Sequence, residues 1–101
     1  MVVYVSHKIN KNPKTLARAK RIVSRLEFKY PLDSFYCPEI ALYHLIEKDV
    51  DADFLLEKQK DFMDLCDKMI VASDLCKSVK KELDYADLIE MEVEWLEYEK
   101  Y

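Results

Sequence analysis

The sequence alternates short strand-like runs with longer stretches whose apolar residues recur at helical spacing. The first run, residues 2–5, is β-branched and aromatic, which is typical of a buried strand. Three later runs have strand-like composition, and a helical stretch precedes each of them. They cover residues 34–37, 68–72 and 92–96. Strands that alternate with helices pair in parallel through right-handed crossovers, so this alternation predicts an α/β fold.

The helical stretches predict how such a sheet is covered. The first begins at Asn12-Pro13, where proline suits the first turn, and a short helix is expected over residues 39–46. A second long helix starts within residues 49–53, and a third runs from Ser78 to about Leu88. The expected buried side of the second comprises Phe54, Leu55, Phe62, Leu65 and Cys66. We predict one domain, residues 1–101, with a small doubly wound (Rossmann/flavodoxin-like) parallel sheet of about four strands and helices on both faces.

Composition narrows the function classes. The chain carries 16 basic and 20 acidic residues, a net charge of −4, which makes a nucleic-acid partner unlikely because phosphate neutralisation needs a concentrated basic face. An apolar run of about 18 residues or more is missing, so we expect no membrane span and a cytoplasmic protein. The three cysteines lack metal-ligand spacing, which predicts reduced thiols, no metal site and no cofactor.

The chain contains no glycine, although average usage is about 7%. Any turn that needs a positive φ must therefore use Asn, Asp or another residue under strain. A glycine-rich loop that cradles phosphate is excluded.

Ligands of parallel sheets bind beyond the carboxyl ends of the strands, near the point where strand order reverses. This rule selects three segments: residues 6–12, 37–41 and 73–78. The candidate ligand-binding residues there are Ser6, His7, Lys8, Asn12, Pro38, Ser73, Lys77 and Ser78.

Glu82 is the strongest single candidate for chemistry. On a helical wheel it lies inside the apolar arc of the third long helix, between Leu75 and Ile89. A carboxylate that faces the core needs a raised pKa or a hydrogen-bonding partner. Glu82 is a candidate nucleophile, general base or ligand for sugar hydroxyls, and the alternatives are a capping residue or a side chain that reaches water. Ser78 is the expected N-cap of the same helix.

Several of these segments resemble small nucleoside 2-deoxyribosyltransferase-like proteins of phages and bacteria. The resemblance is carried by Tyr4–Asn10, Ala17–Ala19, Pro38, Cys66–Val71, Ser73 and Ser78–Ala86. It implies a pocket for a nucleoside, nucleotide or ADP-ribose-like ligand, with Glu82 at the position of the family's nucleophile. It also implies a homo-oligomer in which C-terminal residues complete a neighbour's pocket. Those residues would be Trp95, Tyr98 and Tyr101.

Two departures from the family pattern shape the functional prediction. His7 stands where the family usually has glycine, and the loop at residues 74–77 also lacks one, so the pocket is expected to be reshaped. We therefore predict non-catalytic binding or sequestration of a nucleotide-derived small molecule, by a phage protein that counters host signalling in the host cytoplasm. The alternatives are an N-glycosidic-bond hydrolase or deoxyribosyltransferase that uses Glu82, and a protein-interaction module.

Overall fold

Four strands form one all-parallel sheet in the computed structural model, which describes residues 1–96. The strands are β1 (Val2–Ser6), β2 (Ser34–Tyr36), β3 (Lys68–Val71) and β4 (Glu92–Trp95). The helices are α1 (Pro13–Lys29), α2 (Pro38–Ala41), α3 (Tyr43–Ile46), α4 (Ala52–Met63) and α5 (Lys77–Leu88). The predicted α/β fold with a doubly wound parallel sheet is confirmed.

The strand order is β2-β1-β3-β4, with β1 and β3 at the centre. Tyr4 of β1 lies opposite Tyr36 on one side and opposite Met69 on the other. The chain leaves β1 towards β2 and later returns to the far side of β1 as β3. The connections therefore diverge at the carboxyl ends of β1 and β3, which creates a crevice where ligands of such sheets bind.

Alternating residues of β1 divide the interior into two cores, because successive side chains point to opposite faces. Val3 and Val5 face α1, whose buried residues are Ala19, Ile22 and Leu26. Tyr4 faces the other side, which is covered by α4 and α5. The buried apolar residues of that side include Met63, Val79 and Ala86. Helices thus cover both faces of the sheet, as predicted.

The start of α1 is also as predicted. Pro13 occupies its first position, and the Asn12 side chain accepts a hydrogen bond from the Lys14 N–H at 2.9 Å. The single short helix expected over residues 39–46 is wrong, because the chain forms two separate four-residue helices there.

The predicted buried side of α4 is wrong in part. Phe54 and Phe62 are 49% and 39% exposed, and Leu65 follows the helix end at 73% exposure. The buried residues of α4 are instead Gln59 and Met63. The apolar stripe is wider than the surface that the sheet and α5 cover, and Phe62 lies at its flank, stacked on Tyr36 with ring centroids 4.0 Å apart.

The glycine-free chain does use strained turns. Asp49 and Glu90 adopt left-handed backbone conformations, with φ of 54° and 57°. Glu90 closes α5: its N–H bonds to the Asp87 carbonyl, and the next N–H bonds to the Ala86 carbonyl at 2.8 Å. This pattern of bonds usually places glycine at the left-handed position.

Within residues 1–96, none of the helices combines the length and apolar character needed to cross a membrane.

Replacement of Glu90 by glycine should stabilise the protein. A left-handed conformation costs a non-glycine residue about 1–2 kcal/mol, and glycine avoids this cost. The greater freedom of glycine in the unfolded chain offsets about 0.5–1 kcal/mol of that gain. We expect Glu90→Gly to raise the free energy of unfolding in urea by about 0.5–1 kcal/mol. Lys80→Gly, at an exposed helical position of α5, should lower it by a similar amount and serves as the control. Equal destabilisation by both variants would contradict the assignment of strain at Glu90.

Candidate functional site

Glu82 is fully buried between α5 and the central strand β1. The Ser6 hydroxyl donates a hydrogen bond to its Oε1 atom at 2.8 Å, and the Tyr4 hydroxyl donates a short hydrogen bond to its Oε2 atom. Tyr4 and Ser6 are two residues apart on β1, so both side chains point to the face that α5 covers. The inward orientation predicted from the helical wheel is confirmed, and both carboxyl oxygens of Glu82 are engaged by the protein.

Glu82 and Tyr4 both have pKa values above the ordinary values of their side chains. Burial raises the pKa of Glu82 to about 7, while the hydrogen bonds from Tyr4 and Ser6 and the nearby amide of Gln59 oppose that rise. Burial and the neighbouring Glu82 raise the pKa of Tyr4 well above its ordinary value. Tyr4 therefore stays protonated at neutral pH. It remains a hydrogen-bond donor to Glu82, whose carboxyl group titrates near neutral pH.

A cleft of about 360 Å³ opens at the carboxyl edge of the sheet, between the first turns of α4 and α5 and the loop after β1. It lies where the connections from β1 and β3 diverge. The lining residues are Lys8, Ile9, Ala52, Leu55, Leu56, Gln59, Cys76, Lys77, Ser78 and Lys81. One wall, from α4, is mainly apolar, and the opposite side carries polar and cationic groups.

The cleft concentrates positive charge in a protein whose net charge is negative. Lys8, Lys77 and Lys81 line it, and none of its lining residues is acidic, although the chain carries a net charge of −4. Lys77 and Lys81 are one helical turn apart, so they lie on the same side of α5. The cleft therefore favours an anionic ligand with an apolar portion.

The loop after β1 is held in place by side chains from the loop after β3 and from the first turns of α5 and α2. Three consecutive backbone N–H groups donate to side-chain oxygens. The pairs are Lys8 with Ser73 at 3.1 Å, Ile9 with Ser78 at 3.4 Å, and Asn10 with Glu39 at 3.3 Å. The three segments selected from the sequence thus meet at one edge. Because these N–H groups already bond within the protein, charge for an anion has to come from the lysines.

Gln59 connects the cleft to the buried cluster. It lines the cleft, is only 4% exposed, and lowers the pKa of both Tyr4 and Glu82. Its Nε2 atom has no hydrogen-bond partner within residues 1–96. Sequence reasoning missed Gln59, although it precedes Met63 by one helical turn and therefore lies on the same side of α4.

Two further buried polar residues lie near this edge but do not line the cleft. His7 is fully buried, its Nδ1 atom lies 3.0 Å from the Lys8 carbonyl oxygen, and burial lowers its pKa. Its Nε2 atom has no partner in the part of the chain that the structure describes. Glu39, which sequence reasoning missed, is fully buried, and burial raises its pKa to about 7 against the opposing hydrogen bond from Asn10.

Other candidates occupy structural positions. Asn12 caps α1, Pro38 begins α2, and neither lines the cleft. The prediction that Ser78 caps α5 is wrong: the helix begins one residue earlier, and the Ser78 hydroxyl accepts the Ile9 N–H instead.

The C-terminal candidates are described only in part. Trp95 ends β4 and is 54% exposed. Tyr98 and Tyr101 lie outside the described residues.

Residues 1–96 contain no group of three or more His, Cys, Asp or Glu side chains arranged to hold a metal ion, and their three cysteines are free thiols. Comparison with protein-family models, with curated proteins and with solved structures finds no match. The resemblance to deoxyribosyltransferases therefore stays a prediction, and the role of the cleft is inferred from its own residues.

Glu82 should make the protein less stable as pH rises. Its pKa is about 7 when folded and 4.5 ordinarily, so the folded state binds more protons between these values and loses stability across that range. The full loss is about 3 kcal/mol and is reached above pH 7. Glu39 acts in the same direction. The lowered pKa of His7 acts in the opposite direction. It reduces the free energy of unfolding as the pH falls below 6.5, the ordinary pKa of histidine.

The test is urea unfolding of the parent protein and Glu82→Gln from pH 4.5 to 8. The free energy of unfolding of the variant, relative to the parent, should rise by about 3 kcal/mol over this range. Any constant cost of the altered hydrogen bonds cancels in this comparison. Glu27→Gln, at an exposed position of α1, is the matched control for the loss of a glutamate carboxyl group. A pH-independent difference for Glu82→Gln would refute the assigned proton linkage.

Proposed function

We propose that this protein binds a nucleotide-derived small molecule in the cleft and leaves it chemically unchanged. The observation that carries the proposal is the composition of the cleft: Lys8, Lys77 and Lys81 lie beside an apolar wall, with no acidic residue in the lining. Lysines attract phosphate, and an apolar wall suits a planar base. A nucleotide combines these two properties in one molecule.

The apolar wall and Gln59 suit the base. Leu55 and Leu56 supply the apolar surface of α4, and Gln59 adds an amide at the inner end. An amide can donate to and accept from the edge of a base. The unpartnered Nε2 atom of Gln59 supports such a role, because buried donors without a partner are costly and a ligand acceptor would satisfy it.

The arrangement of Glu82 favours binding over reaction. A nucleophile needs a lone pair aimed at the reacting carbon from about 3–3.5 Å. Both oxygens of Glu82 instead accept hydrogen bonds from Tyr4 and Ser6, and Glu82 is not among the lining residues. N-glycosidic cleavage remains the second candidate because Glu82 lies beside Gln59 and its pKa of about 7 suits acid–base chemistry. It requires a carboxyl oxygen of Glu82 to become accessible from the cleft.

The same proposal includes contact with a second copy of the chain and a biological role for nucleotide binding. The exposed side chain of Trp95 supports contact with a second copy of the chain. Capture of a nucleotide signal in a host cytoplasm is the biological role that this binding would serve if the protein is encoded by a phage.

The proposal is tested by native mass spectrometry of the purified protein and by calorimetry with nucleosides, nucleotides and ADP-ribose. We expect at least one nucleotide to bind and to be recovered intact after denaturation. Leu55→Glu places a carboxylate on the apolar wall and should weaken binding at least tenfold through charge repulsion and lost apolar contact. Leu88→Glu, at an exposed leucine outside the cleft, should leave binding unchanged.

Release of free base by the parent protein, abolished in Glu82→Gln, would contradict non-catalytic binding and establish the enzymatic alternative. Failure of every nucleoside and nucleotide to bind would overturn both and favour a protein-interaction module. Native mass spectra count the subunits in the same experiment.

A further inference from the structure

We infer that the cleft selects its ligand by the number of negative charges at one end, and that it takes a terminal diphosphate or triphosphate group without a divalent metal ion. This inference rests on the proposed function, because it assigns a ligand class to the same cleft.

The positive charges are gathered on the side of the cleft that the loop after β1 and α5 form. Ile9 donates its N–H to the Ser78 hydroxyl, so the neighbouring Lys8 lies beside the first turn of α5, where Lys77 also lies. Lys81 follows one turn later on the same helix. The α4 side supplies Ala52, Leu55 and Leu56, which are apolar. The cleft therefore has a cationic side and an apolar side.

Three cations on one side of the cleft suit more than one phosphate group. A single phosphate carries about −1.5 to −2 charge at neutral pH, which leaves part of the lysine charge unbalanced. A terminal diphosphate or triphosphate carries more negative charge and can contact three separate ammonium groups. Affinity should therefore rise with each added phosphate, since every addition relieves repulsion among Lys8, Lys77 and Lys81.

The lining chemistry also argues against a metal-bound phosphate chain. Mg²⁺ at phosphate sites is usually held by one or two protein carboxylates in addition to phosphate oxygens. None of the residues that line this cleft is Asp or Glu. The buried carboxyl group of Glu82 already accepts two hydrogen bonds. Mg²⁺ would neutralise the phosphate charge that the lysines attract, so it should compete with the protein for the ligand.

The volume of the cleft suits a small ligand. At about 360 Å³, the cleft is at the lower end of the range of about 300–1,000 Å³ that small-molecule sites span. This suits one nucleoside with a terminal phosphate chain better than two nucleosides joined through phosphate.

Calorimetry on the full chain tests the inference with adenosine, AMP and ADP, and with inorganic tripolyphosphate as a probe without a nucleoside. Each probe is measured with EDTA and with excess Mg²⁺. We expect affinity to rise about tenfold at each step from adenosine to ADP, and excess Mg²⁺ to weaken ADP binding several-fold. Lys81→Gln should weaken ADP binding about tenfold and leave adenosine binding unchanged. Lys80→Gln removes the same charge from the same helix outside the cleft and should change neither.

Each result separates this inference from the proposed function. Equal affinity for adenosine, AMP and ADP would overturn the inference while nucleotide binding stands. Tighter binding of ADP with Mg²⁺ would also overturn it. Tripolyphosphate that binds as tightly as ADP would support the charge selection and contradict a role for the apolar wall in the proposed function. Failure of every probe to bind would overturn the inference, whereas the proposed function fails only if every nucleoside, nucleotide and ADP-ribose also fails to bind.

Discussion

The carboxyl group of Glu82, held by the hydroxyls of Tyr4 and Ser6, is the interaction on which the geometry of this edge depends. A buried carboxyl group is costly unless it has partners, and two residues of the central strand supply them. The contact fixes α5 against β1. The first turn of α5 consequently lies beside the loop after β1, and this contact brings Lys77 and Lys81 to the same cleft as Lys8.

The absence of glycine is consistent with a cleft whose positive charge comes from lysine side chains. In glycine-rich phosphate loops, backbone N–H groups approach the ligand directly. Here the N–H groups of residues 8–10 bond to side chains of Ser73, Ser78 and Glu39, which makes the loop rigid before any ligand arrives. In the binding mode that we propose, positive charge on long side chains takes over the role of the backbone. A preformed loop lowers the ordering cost of binding.

The sheet and the orientation of Glu82 could be predicted because each depends on local periodicity, which the sequence carries directly. The cleft could not, because it depends on how α4 packs beside α5. Lys81 lies outside the apolar arc of its own helix and looks solvent-facing until α4 is placed next to it. His7 follows β1 in a loop, where a histidine is usually solvated, yet its side chain is fully buried. Gln59 carries a detectable signal, a polar residue on a buried helical face.

The most direct test of the buried Glu82 cluster is an NMR titration of glutamate side-chain carboxyl carbons, with the Glu82 signal assigned by its loss in Glu82→Gln. An enclosed carboxyl group bonded to Tyr4 and Ser6 should titrate with a midpoint near 7. Tyr4→Phe removes one donor and should raise that midpoint further. A midpoint at the ordinary value of 4.5 would mean that Glu82 is exposed to water, and would contradict the account of how this edge is organised.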